Sequence, residues 1–301
     1  ASDPEALRDY MHVQDARNLV EYLERFEITL AVMQTAPALE RIAYELVADA
    51  AAEGVRYMEI RYAPVLNTRD GLAMQDVVEA TLRGLQRAER EHDIVPRLII
   101  CALRHQPVHV AIEHAELAVA FRNAGVVGFD LAGGEAGNPA SRYAEAFALA
   151  QRHDVCCTCH AGGGDGPDSV RDALFGCHVH RIGHATRLIE DRELTDYANT
   201  HRIPLEICIT SNVQTRAADS HARHPLREYY DRGLNVILNT DNRLMSGVTL
   251  TDEFDLLVET FDYDLDDLLE LTLNAAEASF LPLEEKEALV EYINDSYANL
   301  G

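Results

Sequence analysis

The chain has 301 residues, with 26 Lys+Arg against 51 Asp+Glu and a formal net charge of −25. Binding a phosphate backbone or an anionic lipid surface takes a basic stripe, so this balance argues against nucleic acid and membrane as partners. Hydrophobic residues make up 47%, enough for a sizeable core, and at this length one large α/β barrel or two ordinary domains would fit.

No apolar run approaches the roughly 18–20 residues of a membrane span. No basic stretch followed by an apolar one marks a secretory leader. The single lysine is Lys286. An acidic, lysine-poor surface suits a high-salt habitat, where self-repulsion is screened.

The first elements read as helices. Ser2-Asp3-Pro4-Glu5 places a capping residue ahead of an early proline. Val20, Leu23, Phe26, Leu30 and Met33 recur at helical spacing, as do Leu39, Ile42, Ala43, Leu46 and Val47. Short apolar runs then alternate with amphipathic stretches. The runs 55–62, 98–103, 126–132, 155–160, 181–184, 204–209 and 234–241 predict seven strands. Helices are predicted over 75–90, 110–122, 143–152, 169–175, 190–199 and 226–231. A repeated strand–helix rhythm means a parallel sheet. No Pro/Gly/Ser-rich linker divides the chain, so 1–301 is expected to be a single domain.

A (β/α)8 barrel needs one strand more than these seven. The alternative is an open doubly wound sheet, which usually carries a glycine fingerprint after its first strand. None follows Tyr62, and the glycine-rich stretches 133–137 and 162–166 follow later strands without that form.

The six cysteines are Cys101, Cys156, Cys157, Cys159, Cys177 and Cys208. Cys156 and Cys159 form a CxxC, but in a strand an odd separation points them to opposite faces. Reduced core thiols in a cytoplasmic protein are the expectation.

Polar residues gather at the C-terminal strand ends. Arg104-His105 follows the second run and Asp130 lies near the end of the third. His160 ends the fourth, His184 the fifth, Thr210-Ser211-Asn212 the sixth, and Asp241-Asn242 the seventh. Parallel α/β folds place their active sites there. A lone strand histidine is more often structural, but the joint pattern points to a metal-assisted or acid–base site. His160, His184 and Asp241 could offer imidazole nitrogen and carboxylate oxygen to Zn²⁺ or a similar ion. Such an ion makes hydroxide available near neutral pH. A neighbouring His or Asp outside the metal shell could orient it and move its proton.

Leu131-Ala132-Gly133-Gly134-Glu135, His160-Ala161-Gly162, Arg181-Ile182-Gly183-His184, 210–215 (TSNVQT) and 238–246 (LNTDNRLMS) resemble adenosine deaminases in order and spacing. Asn274-Ala275-Ala276 and Ser279-Phe280-Leu281 extend the resemblance to nearly the whole chain. It implies a (β/α)8 TIM-type barrel, catalytic zinc, and hydrolytic release of ammonia from a 6-aminopurine nucleoside. By position, His160 resembles a zinc ligand, and Asp241 resembles the aspartate ligand that also contacts the attacking water. His184 resembles the histidine that orients hydroxide. The amide of Gly133 resembles the group that meets purine N3. Asn242 stands where many members carry a second Asp facing N7, and an amide N–H can donate there directly.

Two departures bear on activity. The family's first strand carries a His-x-His pair of zinc ligands, and no such pair precedes the first predicted strand here. The start, Ala1-Ser2-Asp3-Pro4, resembles the segment after that strand, so the barrel is expected to lack its first strand and to bind zinc weakly. His178-Val179-His180 lies before the fifth strand and reads as a solvated loop end. The second departure is Gly163, which replaces the Glu that resembles the proton donor to N1; Asp165 and Glu135 are nearby in sequence. Ala185 also replaces the glycine that usually follows the catalytic histidine. The alternative expectation is therefore a catalytically impaired member that binds a nucleoside or a protein. Seven strands would leave an unpaired edge, to be filled by a second chain, a swapped segment or a rearranged sheet.

Overall fold

A computed structural model describes residues 3–12 and 25–299. Ser2, Val20 and Leu23 of the predicted first helices lie outside the described residues. Helix α1 (Pro4–Met11) begins as predicted, with the Asp3 carboxylate accepting from the Ala6 N–H at 2.8 Å. The chain divides into two compact units, one of residues 20–158 with 176–178 and the other of 1–19, 159–175 and 179–301.

In the first unit, α2 (Phe26–Val32) and α3 (Ala36–Ala52) precede β1 (Tyr57–Tyr62). Helix α4 (Met74–Glu91) leads to β2 (Val95–Leu103), α5 (Val108–Phe121) to β3 (Val126–Ala132), and α6 (Ala144–Arg152) to β4 (Cys156–Ala161), which belongs to the second unit from Cys159 on. The β1–β2, β2–β3 and β3–β4 pairings are parallel. Ile99, Ile100, Cys101 and Ala102 of β2 are all buried, the continuous apolar run of a strand covered on both faces. Helix α3 buries Leu39, Ala43, Val47 and Ala50, one stripe at helical spacing. Helix α4 packs on it with Val77 and Ala80 against Leu39. The two backbones come so close that a Cβ at Gly84 would collide with the Glu40 carbonyl oxygen.

The second unit continues with α7 (Pro167–Gly176), β5 (Arg181–His184), α8 (Arg192–Thr200) and β6 (Leu205–Ile207). Then follow α9 (Ile209–Gln214), α10 (Leu226–Asp231), β7 (Val236–Leu238) and α11 (Arg243–Ser246). Three helices close the chain: α12 (Leu250–Phe261), α13 (Leu265–Ala278) and α14 (Leu283–Ala298). The β5–β6 and β6–β7 pairings are parallel. Capping boxes start α12 at Thr249 and α13 at Asp264. Arg181 and Glu206 form a buried ion pair at 2.7 Å, with the Arg181 guanidinium 3.5 Å from the Phe280 ring centre.

The strands run in the order β1-β2-β3-β4-β5-β6-β7. The fold is the predicted α/β class, a TIM-type sheet with seven strands among the described residues. Three strands are shorter than predicted, and the first of them, from the run 55–62, begins at Tyr57. The sixth run, 204–209, ends as a strand at Ile207, because Glu253 draws the next amides into α9. The seventh, 234–241, ends at Leu238, and Asp241 turns left-handed with φ 54°. His178 and His180 are exposed in the loop before β5. No disulfide is seen among the six cysteines, and all but Cys156 are buried.

Candidate active site

The site residues of the second unit sit where strands end. His160 is the penultimate residue of β4, and its ring centre lies 5.1 Å from that of His184, the last residue of β5. His184 has φ 66° and Ala185 φ 51°. Non-glycine residues held left-handed cost energy and cluster at functional sites. Here the turn is pinned by the Ala185 N–H donating to the Ala161 carbonyl at 3.0 Å. Gly162 fits because a Cβ there would lie 2.8 Å from Val170 Cγ2 and 3.0 Å from Ala185 Cα. The loop beyond is held by Ser169, whose Oγ accepts from the Gly162 N–H at 2.7 Å and donates to the Gly166 carbonyl at 2.9 Å. Gly163 is half-buried in this loop and Asp165 is exposed.

Helix α9 supplies the partners of both catalytic candidates. Ser211 Oγ donates to Asp241 Oδ2 at 2.7 Å. The adjacent Asn212 Nδ2 lies 3.0 Å from His184 Nδ1. Asn212 Oδ1 lies 3.0 Å from His224 Nε2, and the Leu226 N–H donates to His224 Nδ1 at 3.1 Å. Ser211, Asn212 and His224 are buried. Burial, with His221 and His184 nearby, pushes the His224 pKa down to about 3, so its ring is neutral.

Glu253 of α12 is fully buried, and its carboxylate accepts from the Ile209 N–H at 3.1 Å and the Thr210 N–H at 3.3 Å. Burial raises its pKa to about 7, against the lowering effect of those donors. Glu253 therefore starts the helix that carries Ser211 and Asn212. Asn242 caps α11, its Oδ1 accepting from the Met245 N–H at 2.9 Å.

Gly133 belongs to the first unit, at the end of β3 with φ 95°. Its Cβ position lies 3.5 Å from the Arg104 backbone nitrogen. Asp130 is buried, with Cys101 Sγ at 3.3 Å and Arg61 Nη1 at 3.7 Å. The buried Arg104 donates from Nη1 to the Asn138 carbonyl at 2.6 Å. The Tyr143 hydroxyl donates to the Arg104 carbonyl and is bonded to that of Gln106 at 3.0 Å.

Sequence reasoning had Ser211 and Asn212 as a motif without roles, and it missed His224 and Glu253. Glu253 left a signal: Glu253, Leu257 and Phe261 share one buried stripe of α12, and a carboxylate there needs a partner. His224, on a loop, left none.

His160 and Asp241 are donor types that zinc accepts, and a catalytic zinc normally takes three protein ligands plus water. Among the described residues no group of three or more His, Cys, Asp or Glu is arranged to hold a metal ion. The described residues do not fill a zinc shell.

Parallel strands with polar residues fixed at their C-terminal ends define a TIM-type α/β protein with an enzyme-like site. The family model for adenosine deaminase matches residues 1–296. An adenosine deaminase of Mycobacteroides abscessus is 41% identical over 318 residues, covering 100% of this chain and 87% of that protein. A solved adenine deaminase from Arthrobacter aurescens matches with TM-score 0.91 at 29% identity, over 98% of this chain and 89% of that one. A solved amidohydrolase from Burkholderia ambifaria with bound Zn matches with TM-score 0.83 at 25% identity, over 91% of this chain and 80% of that one. The chain belongs to the adenosine deaminase family.

Proposed function

We propose that this chain deaminates adenosine or a related 6-aminopurine nucleoside by hydrolysis. One observation carries the reading: neighbouring residues of α9 hold both Asp241 and His184, each through a side-chain hydrogen bond. In hydrolytic deamination water adds to C6 and the amino group leaves as ammonia. Asp241, oriented by the Ser211 hydroxyl, is the carboxylate that takes the water proton. His184 faces the oxygen that adds to C6. Asn242 uses Oδ1 to cap α11, which leaves its Nδ2 hydrogens to donate to N7. N1 has no proton donor at Gly163, so turnover is expected to be slower than with a glutamate there.

The relatives give no support to the alternative of an impaired binding module. His160 and Asp241 would be the zinc donors, and with two such donors the 301-residue chain is expected to bind zinc weakly. Elemental analysis should give well under one zinc per chain; one tightly held zinc overturns this. No described helix is long and apolar enough to cross a membrane. Unbridged thiols fit a reducing, cytoplasmic setting. A second chain forming a homo-oligomer, a swapped segment or a rearranged sheet is the expected cover for the sheet edge beside β1, and a bare, solvated edge rejects this. The activity itself is tested by incubating the chain with adenosine and measuring ammonia and inosine. Adenosine left intact under conditions where a family member converts it sinks the reading.

A further inference from the structure

A backbone N–H can only donate. The Leu226 N–H points at His224 Nδ1 from 3.1 Å, so that nitrogen is the acceptor. A neutral His224 then carries its proton on Nε2, which lies 3.0 Å from Asn212 Oδ1. That donation fixes which end of the Asn212 amide is oxygen. Its other end, Nδ2, donates to His184 Nδ1 at 3.0 Å. Each step follows from the one before, and the backbone end cannot be reversed.

We infer that His224 and Asn212 form a one-way hydrogen-bond relay that holds His184 in the tautomer with its proton on Nε2. The inference rests on the deaminase reading only for its consequence. His184 meets the oxygen at C6 as a hydrogen-bond donor, and proton acceptance falls to Asp241. His224 and Asn212 are positioning residues, acting through the His184 ring. Burial supports the relay: Asn212 is 1% and His224 3% exposed, so water does not compete for these bonds. The neutral state of His224 also supports it, because a charged ring would need an acceptor where Leu226 offers a donor. Tautomer control of this kind is worth a great deal in other enzymes. In the serine-protease triad a histidine in the wrong tautomer costs about 10⁴ in kcat.

The test uses the full chain labelled with ¹⁵N-histidine, at about pH 8, above the ordinary histidine range. Long-range ¹H–¹⁵N correlation reads which ring nitrogen carries the proton, and the His184 signals are those lost in His184→Gln. In the unsubstituted chain, Nδ1 should be bare and Nε2 protonated. Asn212→Asp puts an acceptor oxygen where the amide donated, so the His184 proton should move to Nδ1. The kcat for adenosine should then fall at least about tenfold with KM within about twofold. His224→Gln keeps a donor and should retain the tautomer, whereas His224→Leu should scramble it. A proton on Nδ1 in the unsubstituted chain overturns the relay, as does an Asn212→Asp spectrum with the tautomer unchanged. Should Asn212→Asp not fold, the unsubstituted spectrum and the His224 pair still decide. The spectra need no substrate, so an inactive chain would sink the functional reading without touching this one.

Discussion

Two sets of strand-end polar residues stand in this molecule, and they differ in what their bonds do. After β2 and β3, Arg104 donates to a backbone carbonyl, and Tyr143 bonds to the carbonyls of Arg104 and Gln106. Those bonds satisfy buried groups and knit loops. After β5, β6 and β7, side chain meets side chain: Ser211 to Asp241, Asn212 to His184, His224 to Asn212. Those bonds set the orientation and protonation of groups that can still act on a ligand. Position at a strand end does not separate these bonds; the identity of the partner does, with Asp130 beside Cys101 Sγ and Asn242 on the Met245 N–H as the exceptions on either side.

Four measurements test this division. Asp241→Asn removes the proton acceptor while keeping its shape, and adenosine turnover should drop by about 10²–10⁴ with the fold intact by circular dichroism. Retained turnover would place Asp241 with the structural set.

Gly163→Glu restores a proton donor within the 162–166 loop. In a chain that also carries a first strand with its His-x-His pair, it should raise kcat by about tenfold or more, read in the ammonia assay. An unchanged rate would mean that N1 is protonated by other means.

Glu253→Gln tests the residue that starts α9. The folded-state pKa of Glu253 is raised from 4.5 to about 7, so folding favours its protonated form. Its favourable contribution is present below about pH 4.5 and is lost as pH rises through 7, a swing of about 3 kcal/mol. Urea unfolding from pH 4.5 to 8 should show that slope in the parent chain and a flatter one in the variant. Equal slopes would show that Glu253 titrates normally.

The smallest effect is Tyr143→Phe. It should lower stability by about 1–3 kcal/mol through its unsatisfied carbonyls, with kcat unchanged. A fall in kcat would move the β2–β3 set into the catalytic machinery.

Much of this was legible in order along the chain. The strand 126–132, the strand 181–184 and the helix 226–231 fall where periodicity places them. Burial on both faces makes parallel strands continuous apolar runs, and such runs are visible without coordinates. The strand-end residues His160, His184 and Asp241 were legible for the same reason, since a polar residue closing an apolar run stands out. The failures are tertiary. Pro204-Leu205-Glu206-Ile207-Cys208-Ile209 reads as one strand, yet Ile209 starts a helix because Glu253, 44 residues on, accepts its N–H. Asp241 reads as a strand residue and is left-handed.

The α/β class, the family and the candidate residues for chemistry were legible from sequence alone, because periodicity and residue type are properties of neighbours along the chain. Tertiary structure alone decided how those residues are held. Asn212 between His184 and His224, and Glu253 beneath α9, depend on loops and helices that meet only after folding. Hydrogen-bond direction is a property of a three-dimensional network, anchored here by a backbone N–H that cannot accept.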